Sequence, residues 1–329
     1  ILKYKRKESQ ILSKKLIADL ETPISSLIKL TQKQKYSFLL ESVEGGENRG
    51  RFSFIGLNPD VVWKFYKNKV KIIGSNKEFI KRFPKENNPI KSLRILLKKS
   101  LIKRNKQNPP FPILVGYMGY PMIKYMEKIN LKNIDNIKIP DSIFIRPKLL
   151  AVFDNIEDSI TLMTSVYHDK RIKAETAYKN AEKELAFATK LLNSKIKINT
   201  ISNLKTKKIS PKSNISKLRY KKILNKAKKY IKNGDIFQVV PSQRFEMKYE
   251  LPAISLFRSL RRLNPSPFLV NLNFENIGIV ASSPEILVRL RDNKVTIRPI
   301  AGTRPRGNNK KMDLFYKNDL LKDKKELAE

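Results

Sequence analysis

Three times along this chain an apolar run, a short polar turn and a second apolar run follow one another. Runs 61–65 and 70–73 flank Lys67-Asn68-Lys69, runs 143–153 and 159–166 flank residues 154–158, and runs 286–290 and 294–297 flank Arg291-Asp292-Asn293. A turn that short joins strands only side by side and antiparallel, so each triplet reads as a β-hairpin. Helical patterns stand between the hairpins. A chain built this way is predicted to be α+β rather than an alternating βαβ array.

The remaining segments follow from local signals. Leu12, Leu16, Ile17 and Leu20 fall at helical spacing, and Thr22-Pro23 starts a second helix over 24–30. Residues 36–42 form an apolar run bounded by turn formers, and 51–56 alternate, so the two read as partner strands. Ile90, Leu93, Leu96, Leu97 and Leu101 make a helical stripe ended by Asn108-Pro109-Pro110. A glycine-bearing strand is predicted over 113–120. Residues 169–193 are helical and rich in Ala, Lys and Glu. Residues 195–213 are polar without periodicity and read as a linker, giving regions 1–195 and 215–329 on either side of 196–214. A helix over 216–233 has Ser216 as N-cap and Gly234 in the left-handed cap position. Strands at 236–245, 268–274 and 277–282, a helix at 253–263 and a terminal helix from 310 complete the reading.

Composition narrows the chemistry. With 40% hydrophobic residues in 329, the chain can bury a sizeable core. No apolar run reaches membrane-spanning length. There is no cysteine, which excludes disulfides, thiolate metal sites and a cysteine nucleophile; a reducing cytoplasm is consistent with this. His168 is the only histidine, so no His-rich metal site or Ser-His-Asp triad can be assembled. The net charge of +39 invites a nucleic-acid reading. The lysines, however, are spread evenly and accompany an excess of Ile and Asn, as A/T-rich codons would produce, so no nucleic-acid partner is expected.

The stretch Arg298-Pro299-Ile300-Ala301-Gly302-Thr303-Arg304-Pro305-Arg306-Gly307 is one that core packing does not ask for. Three arginines, two prolines and two glycines share ten positions. Glycine lets backbone N–H groups approach a ligand, and arginine forks suit carboxylate or phosphate. A basic surface turn and an anion site both remain open on these residues alone.

Five ordered segments carry a resemblance. They are Leu39 to Gly46 with Arg51 to Gly56; Gly234-Asp235-Ile236-Phe237-Gln238-Val239-Val240 with Ser242-Gln243-Arg244-Phe245; Asn264-Pro265-Ser266-Pro267-Phe268; Ala281-Ser282-Ser283-Pro284-Glu285; and Pro299 to Gly307. Together they resemble the large, chorismate-binding subunit of anthranilate synthase. The resemblance implies a sandwich of antiparallel sheets with outer helices. It also implies conversion of chorismate and ammonia to anthranilate and pyruvate, the first step of tryptophan biosynthesis. A partner glutamine amidotransferase would supply the ammonia within a hetero-oligomer, and Mg²⁺ would be the cofactor.

Residue by residue, the resemblance makes Glu285 the acid that protonates the leaving C4 hydroxyl. It places Gly302 and Thr303 on chorismate and makes Glu329 the first Mg²⁺ ligand. Gln238 stands where water-adding relatives carry a lysine base, and Ala301 where aminodeoxychorismate synthases carry a lysine nucleophile. Both choices favour direct attack by ammonia. Glu41 and Ser42, with Pro267, Phe268 and Leu269, resemble a pocket for tryptophan as feedback inhibitor.

Family members continue past the position of Glu329 with a histidine-bearing segment and a second acidic metal ligand. The expectation is therefore of a C-terminally truncated catalytic region, inactive alone, with one side of its core uncovered. An aminodeoxychorismate synthase and a non-catalytic tryptophan-binding remnant are the competing readings.

Overall fold

The computed structural model describes residues 1–32, 34–44, 48–103, 108–131, 137–196, 210–298 and 302–328. Apolar and polar positions alternate along most strands, and this sets their layers. The strands of the two principal sheets are β1 (Gln10–Ile17), β2 (Tyr36–Glu41), β3 (Phe52–Leu57), β4 (Val61–Tyr66), β5 (Lys69–Ile73), β6 (Val115–Met118), β7 (Ser142–Arg146), β8 (Leu149–Asp154), β9 (Ser159–Val166), β10 (Phe268–Phe274) and β11 (Ile277–Ser283). A seven-stranded sheet runs β1-β9-β8-β3-β2-β10-β11, and a four-stranded sheet runs β5-β4-β7-β6. Every pairing within them is antiparallel.

On β2, Tyr36, Phe38 and Leu40 face the second sheet and pack with Ile143, Ile145, Leu272 and Phe274. Leu39 faces the other way, onto a core shared with Leu27, Leu185 and Phe257 of the helices Pro23–Thr31, Ala174–Leu192 and Ala253–Leu263. Beyond the small sheet, Trp63, Phe65 and Leu96 form a third core against the helix Pro89–Ser100. The layers therefore run helix, sheet, sheet, helix. The α+β sandwich with outer helices is what the chain forms.

Two crossovers tie the sheets together. The chain leaves β3 at Leu57 and enters β4 at Val61, and it leaves β7 at Arg146 and enters β8 at Leu149. Asp60 and Arg146 meet at that corner with Arg146 Nε 2.7 Å from Oδ1 and Nη2 2.6 Å from Oδ2. The run 143–153 is thus not one arm of a hairpin. Pro147 and Lys148 divide it into a strand of each sheet, because Pro147 has no N–H to give to a ladder.

Other expectations are also corrected. The helix read from Leu12, Leu16, Ile17 and Leu20 is the edge strand β1, laddered to β9 from Gln10↔Val166 to Ile17↔Ser159. Cross-strand hydrogen bonds outweigh a short helical spacing that has no cap. The predicted strand 236–245 is irregular except for Phe245–Glu246, which pairs with Lys212–Ser213. Among the described residues no sheet neighbour lies beside its first part, and Phe237 is 99% exposed. The terminal helix is divided at Asp323 into Lys310–Lys322 and Lys324–Ala328.

The first hairpin turns through Lys67 and Asn68 at φ 50° and 59°, and Gly234 takes φ 79° as a helix cap. The seven-stranded sheet draws strands from both sides of segment 196–214, of which 197–209 lie outside the described residues.

Candidate functional site

The residues singled out in the sequence fall into two groups. The first lies where β2 meets β10. The register Leu269↔Glu41 sets Glu41 at the end of β2 beside Leu269. Val43 N–H donates to Ser266 O at 3.0 Å, which draws the Pro267-Phe268 turn over Ser42. Ser282 Oγ donates to Asn264 O at 2.5 Å and is 2.9 Å from Ser266 Oγ, bracing that turn from below. Glu41, Ser42, Pro267, Phe268 and Leu269 are thus brought together. Leu269 is buried, while Phe268 is 39% exposed and forms an open wall.

Glu41 has a partner that the sequence did not reveal. Arg261, near the end of the helix Ala253–Leu263, donates from Nη2 to Glu41 Oε1 at 3.0 Å. Its Nε stands 2.9 Å from Oε2, close enough to pair charges but off the line of a hydrogen bond. The carboxylate is therefore already neutralised in the fold. An amphipathic helix ending in Arg261-Arg262 offers no sign of which arginine turns inward.

The second group surrounds the loop that holds Gly302 and Thr303; Pro299, Ile300 and Ala301, and also Glu329, lie outside the described residues. The loop folds onto the helices that follow it. Gly302 N–H donates to the Glu326 carboxylate, and Gly307 N–H donates to Asp313 Oδ1 at 3.0 Å. A Cβ on Gly302 would lie 2.2 Å from the Glu326 carboxylate, so a side chain there would push that flexible acid off the loop.

Arg304 bridges Asp319 at 2.5 Å and Asp323 at 2.7 Å, and Arg306 reaches Asp313 at 2.8 Å. The N–H of Gly307 holds the Asp313 carboxyl below its ordinary range against an opposing desolvation, with the Arg306 guanidinium adding to the lowering. The loop is an anion-binding turn whose donors are met by the protein's own carboxylates. Sequence reading found the turn and missed Asp313 and Glu326. The latter stands three positions before Glu329 in the sequence and was the available clue.

Gln238 and Glu285 lie apart from any enclosure. Gln238 is exposed in the irregular segment, and Glu285 is exposed after the Ser283-Pro284 bend, with its N–H 3.4 Å from Ser283 Oγ. Thr303 is exposed as well. Among the described residues, none of the three lines the cavities found among residues 1–273. Leu287 and Leu290, in and beside the hairpin Arg289–Arg291 and Lys294–Thr296, are 91% and 67% exposed. Among the described residues, no group of three or more His, Cys, Asp or Glu side chains could cage a metal ion.

A two-sheet sandwich with these motifs in this order defines a class, and comparison with known proteins gives its name. The family of chorismate binding enzymes matches residues 36–329, and the chain belongs to it. Among curated relatives, it is 40% identical over 328 residues to "Anthranilate synthase component 1" of Cereibacter sphaeroides, covering 99% of this chain and 66% of that one. It is 36% identical to the protein of the same name from Aquifex aeolicus, covering 95% and 63%. The chain thus spans a little under two thirds of the length of these relatives. Among solved structures, anthranilate synthase component I from Streptococcus pneumoniae superimposes with a TM-score of 0.64 at 26% identity, over 95% of this chain and 65% of that one. The menaquinone-specific isochorismate synthase of Escherichia coli shares the fold, with a TM-score of 0.55 at 13% identity over 98% and 61%.

Proposed function

We propose that the chain is the chorismate-binding large component of an anthranilate synthase, which adds ammonia to the chorismate ring beside its carboxylate as the C4 hydroxyl leaves, and then releases pyruvate. The observation that carries this reading is the Gly302 N–H, a backbone donor that already holds a carboxylate. Chorismate is a dianion, and the Glu326 carboxylate stands in for one of its acid groups at that donor.

Thr303, next to it, would add a hydroxyl bond to the substrate. Glu285 would protonate the departing hydroxide, a poor leaving group otherwise. Gln238 and Ala301 offer neither a base for water nor an amine nucleophile, so ammonia is left as the attacking group. A partner amidotransferase would deliver that ammonia from glutamine.

Carboxylate oxygens suit a hard cation, and the short helix Lys324–Ala328 brings the Glu326 carboxylate up to the loop. Glu329, with a substrate carboxylate, would hold Mg²⁺, which when bound neutralises the substrate's charge and fixes the ring. The patch at Glu41, Ser42, Pro267, Phe268 and Leu269 would bind tryptophan as inhibitor, its ammonium competing with Arg261 for Glu41.

The test is incubation with chorismate, Mg²⁺ and an ammonium salt, with anthranilate followed by fluorescence and other products by chromatography. Anthranilate is expected from a full-length protein that contains this region, and not from the 329 residues alone. Glu285→Gln should lower its rate by roughly 10²–10⁴ while leaving chorismate binding in place. Failure to bind chorismate, or formation of isochorismate or aminodeoxychorismate in its place, would overturn the reading.

A further inference from the structure

A cavity of about 600 Å³ opens on the helix-covered face of the seven-stranded sheet, away from the motifs discussed above. Its size suits a small organic molecule. One wall is apolar, formed by Leu27, Ile28 and Ile254. The other presents Ser37 of β2 and Asn271 and Asn273 of β10. Asn273 is engaged, its Nδ2 donating to Gln34 O at 3.3 Å.

Asn271 has no comparable structural duty. It is 5% exposed, its Oδ1 is sealed without a hydrogen-bond partner, and among the described residues nothing bonds to its Nδ2. The Nδ2 is the end of the amide left accessible, and the cavity is what it borders. A buried amide with unmet bonds costs the fold stability that an aliphatic residue there would keep.

The same cavity receives the N-terminus of the helix Ala253–Leu263, with Pro252 and Ala253 in its lining. Pro252 is the N-cap and gives no side-chain cap. The N–H groups of Ala253 and Ile254 have no acceptor within their helix. They carry the positive end of its dipole. Donors from two independent elements therefore converge on one hollow.

We infer that this cavity binds a small monocarboxylate with an apolar tail. The carboxylate sits at the helix N-terminus and accepts from Asn271 Nδ2, and the tail lies along Leu27, Ile28 and Ile254. Among the described residues no charged side chain lines the cavity, which disfavours phosphate, whose second charge calls for an arginine or lysine. The chain's net charge of +39 draws anions of either kind to the surface, so selection rests on the lining. The inference is independent of the chorismate reading, since no residue is shared.

The probes are 4-methylpentanoate, its neutral amide, the corresponding amine and inorganic phosphate, titrated calorimetrically into the whole chain. The carboxylate should bind in the millimolar range, and the other three at least about tenfold more weakly. Asn271→Leu should weaken carboxylate binding at least about tenfold while leaving the melting temperature equal or higher. Pro252→Asp, which puts a carboxylate of the chain's own at the helix N-terminus, should also weaken binding without loss of stability. The inference is overturned if the carboxylate does not bind, if the amide or phosphate binds as tightly, or if both variants bind like the parent.

Discussion

Replacing Asp60 with Asn is expected to destabilise the protein by about 3–5 kcal/mol, because it strands a buried cation. Arg146 is 1% exposed and Asp60 5%. Their bidentate pair locks the corner where the chain twice changes sheets, and the remaining guanidinium edge donates to Ser100 Oγ at 3.1 Å. The rings of Phe79 and Tyr167 lie 4.3 and 3.8 Å from the guanidinium carbon, a cation–π sandwich. Each face contributes at most about 2 kcal/mol, and neither supplies the missing negative charge.

Arg146→Met should be comparably damaging, since among the described residues Asp60 would keep only Asn76 Nδ2 at 3.4 Å as a side-chain donor. The double variant Asp60→Leu, Arg146→Met removes both charges and should fall within about 1–2 kcal/mol of the parent. Urea unfolding can be followed through Trp63, the only tryptophan and fully buried. A loss below about 1 kcal/mol for Asp60→Asn, or a double variant as unstable as the two single losses added together, would refute the argument.

Other outcomes follow from the same geometry. Gly307→Ala should disrupt the loop, since its Cβ would stand 2.2 Å from Asp313 N, a backbone atom that cannot swing aside. A loss of about 1–3 kcal/mol and weakened chorismate binding are expected, with an unchanged melting curve as the contrary result. Ser92→Ala should cost about 1–3 kcal/mol by orphaning the buried Trp63 Nε1–H, now 3.0 Å from Ser92 Oγ, with a red or blue shift of emission as a second readout.

Asp169 is held at a pKa of about 2, mainly by the Arg171 side chain and its N–H. Its folded value lies below the unfolded one of about 3.9. The stability it adds is therefore present above that value and lost as pH falls through about 2. Asp169→Asn should flatten the acid limb of stability by less than about 1 kcal/mol, as befits an exposed pair. A steeper limb in the variant would reverse the sign and defeat the assignment.

Elements with two agreeing local signals were legible in the sequence. The helix Pro23–Thr31 has Thr22 and Ser25 bonded in a reciprocal cap, and Pro23 at its first turn. The first and third hairpins have turn residues at positive φ where Lys67, Asn68, Asp292 and Asn293 stand. Segments whose fate depended on a distant partner were not legible. The residues of β1 carry a weak helical spacing that the ladder to β9 overrides, and the break at Pro147 matters only because a second sheet waits beside it.

The same division holds for the site. The turn at Gly302 to Gly307 was readable from its glycines and arginines. That those donors would be met by Asp313, Asp319, Asp323 and Glu326 depends on how two later helices dock. Likewise Glu41 was legible and Arg261 was not, since an ion pair spanning the sheet and a later helix leaves no trace in local pattern.

The pairing of Tyr36 with Phe274 has a bearing on how the protein is made. Strand β2 finds β3 almost at once, but its other edge must wait for β10 to leave the ribosome. At roughly 5–20 residues per second that delay is tens of seconds. Throughout it, the apolar strand Tyr36–Glu41 shows a bare row of peptide groups to the cell. Nascent chains stalled between these two strands should be the ones that chaperones hold, and those carried past residue 274 the ones they release.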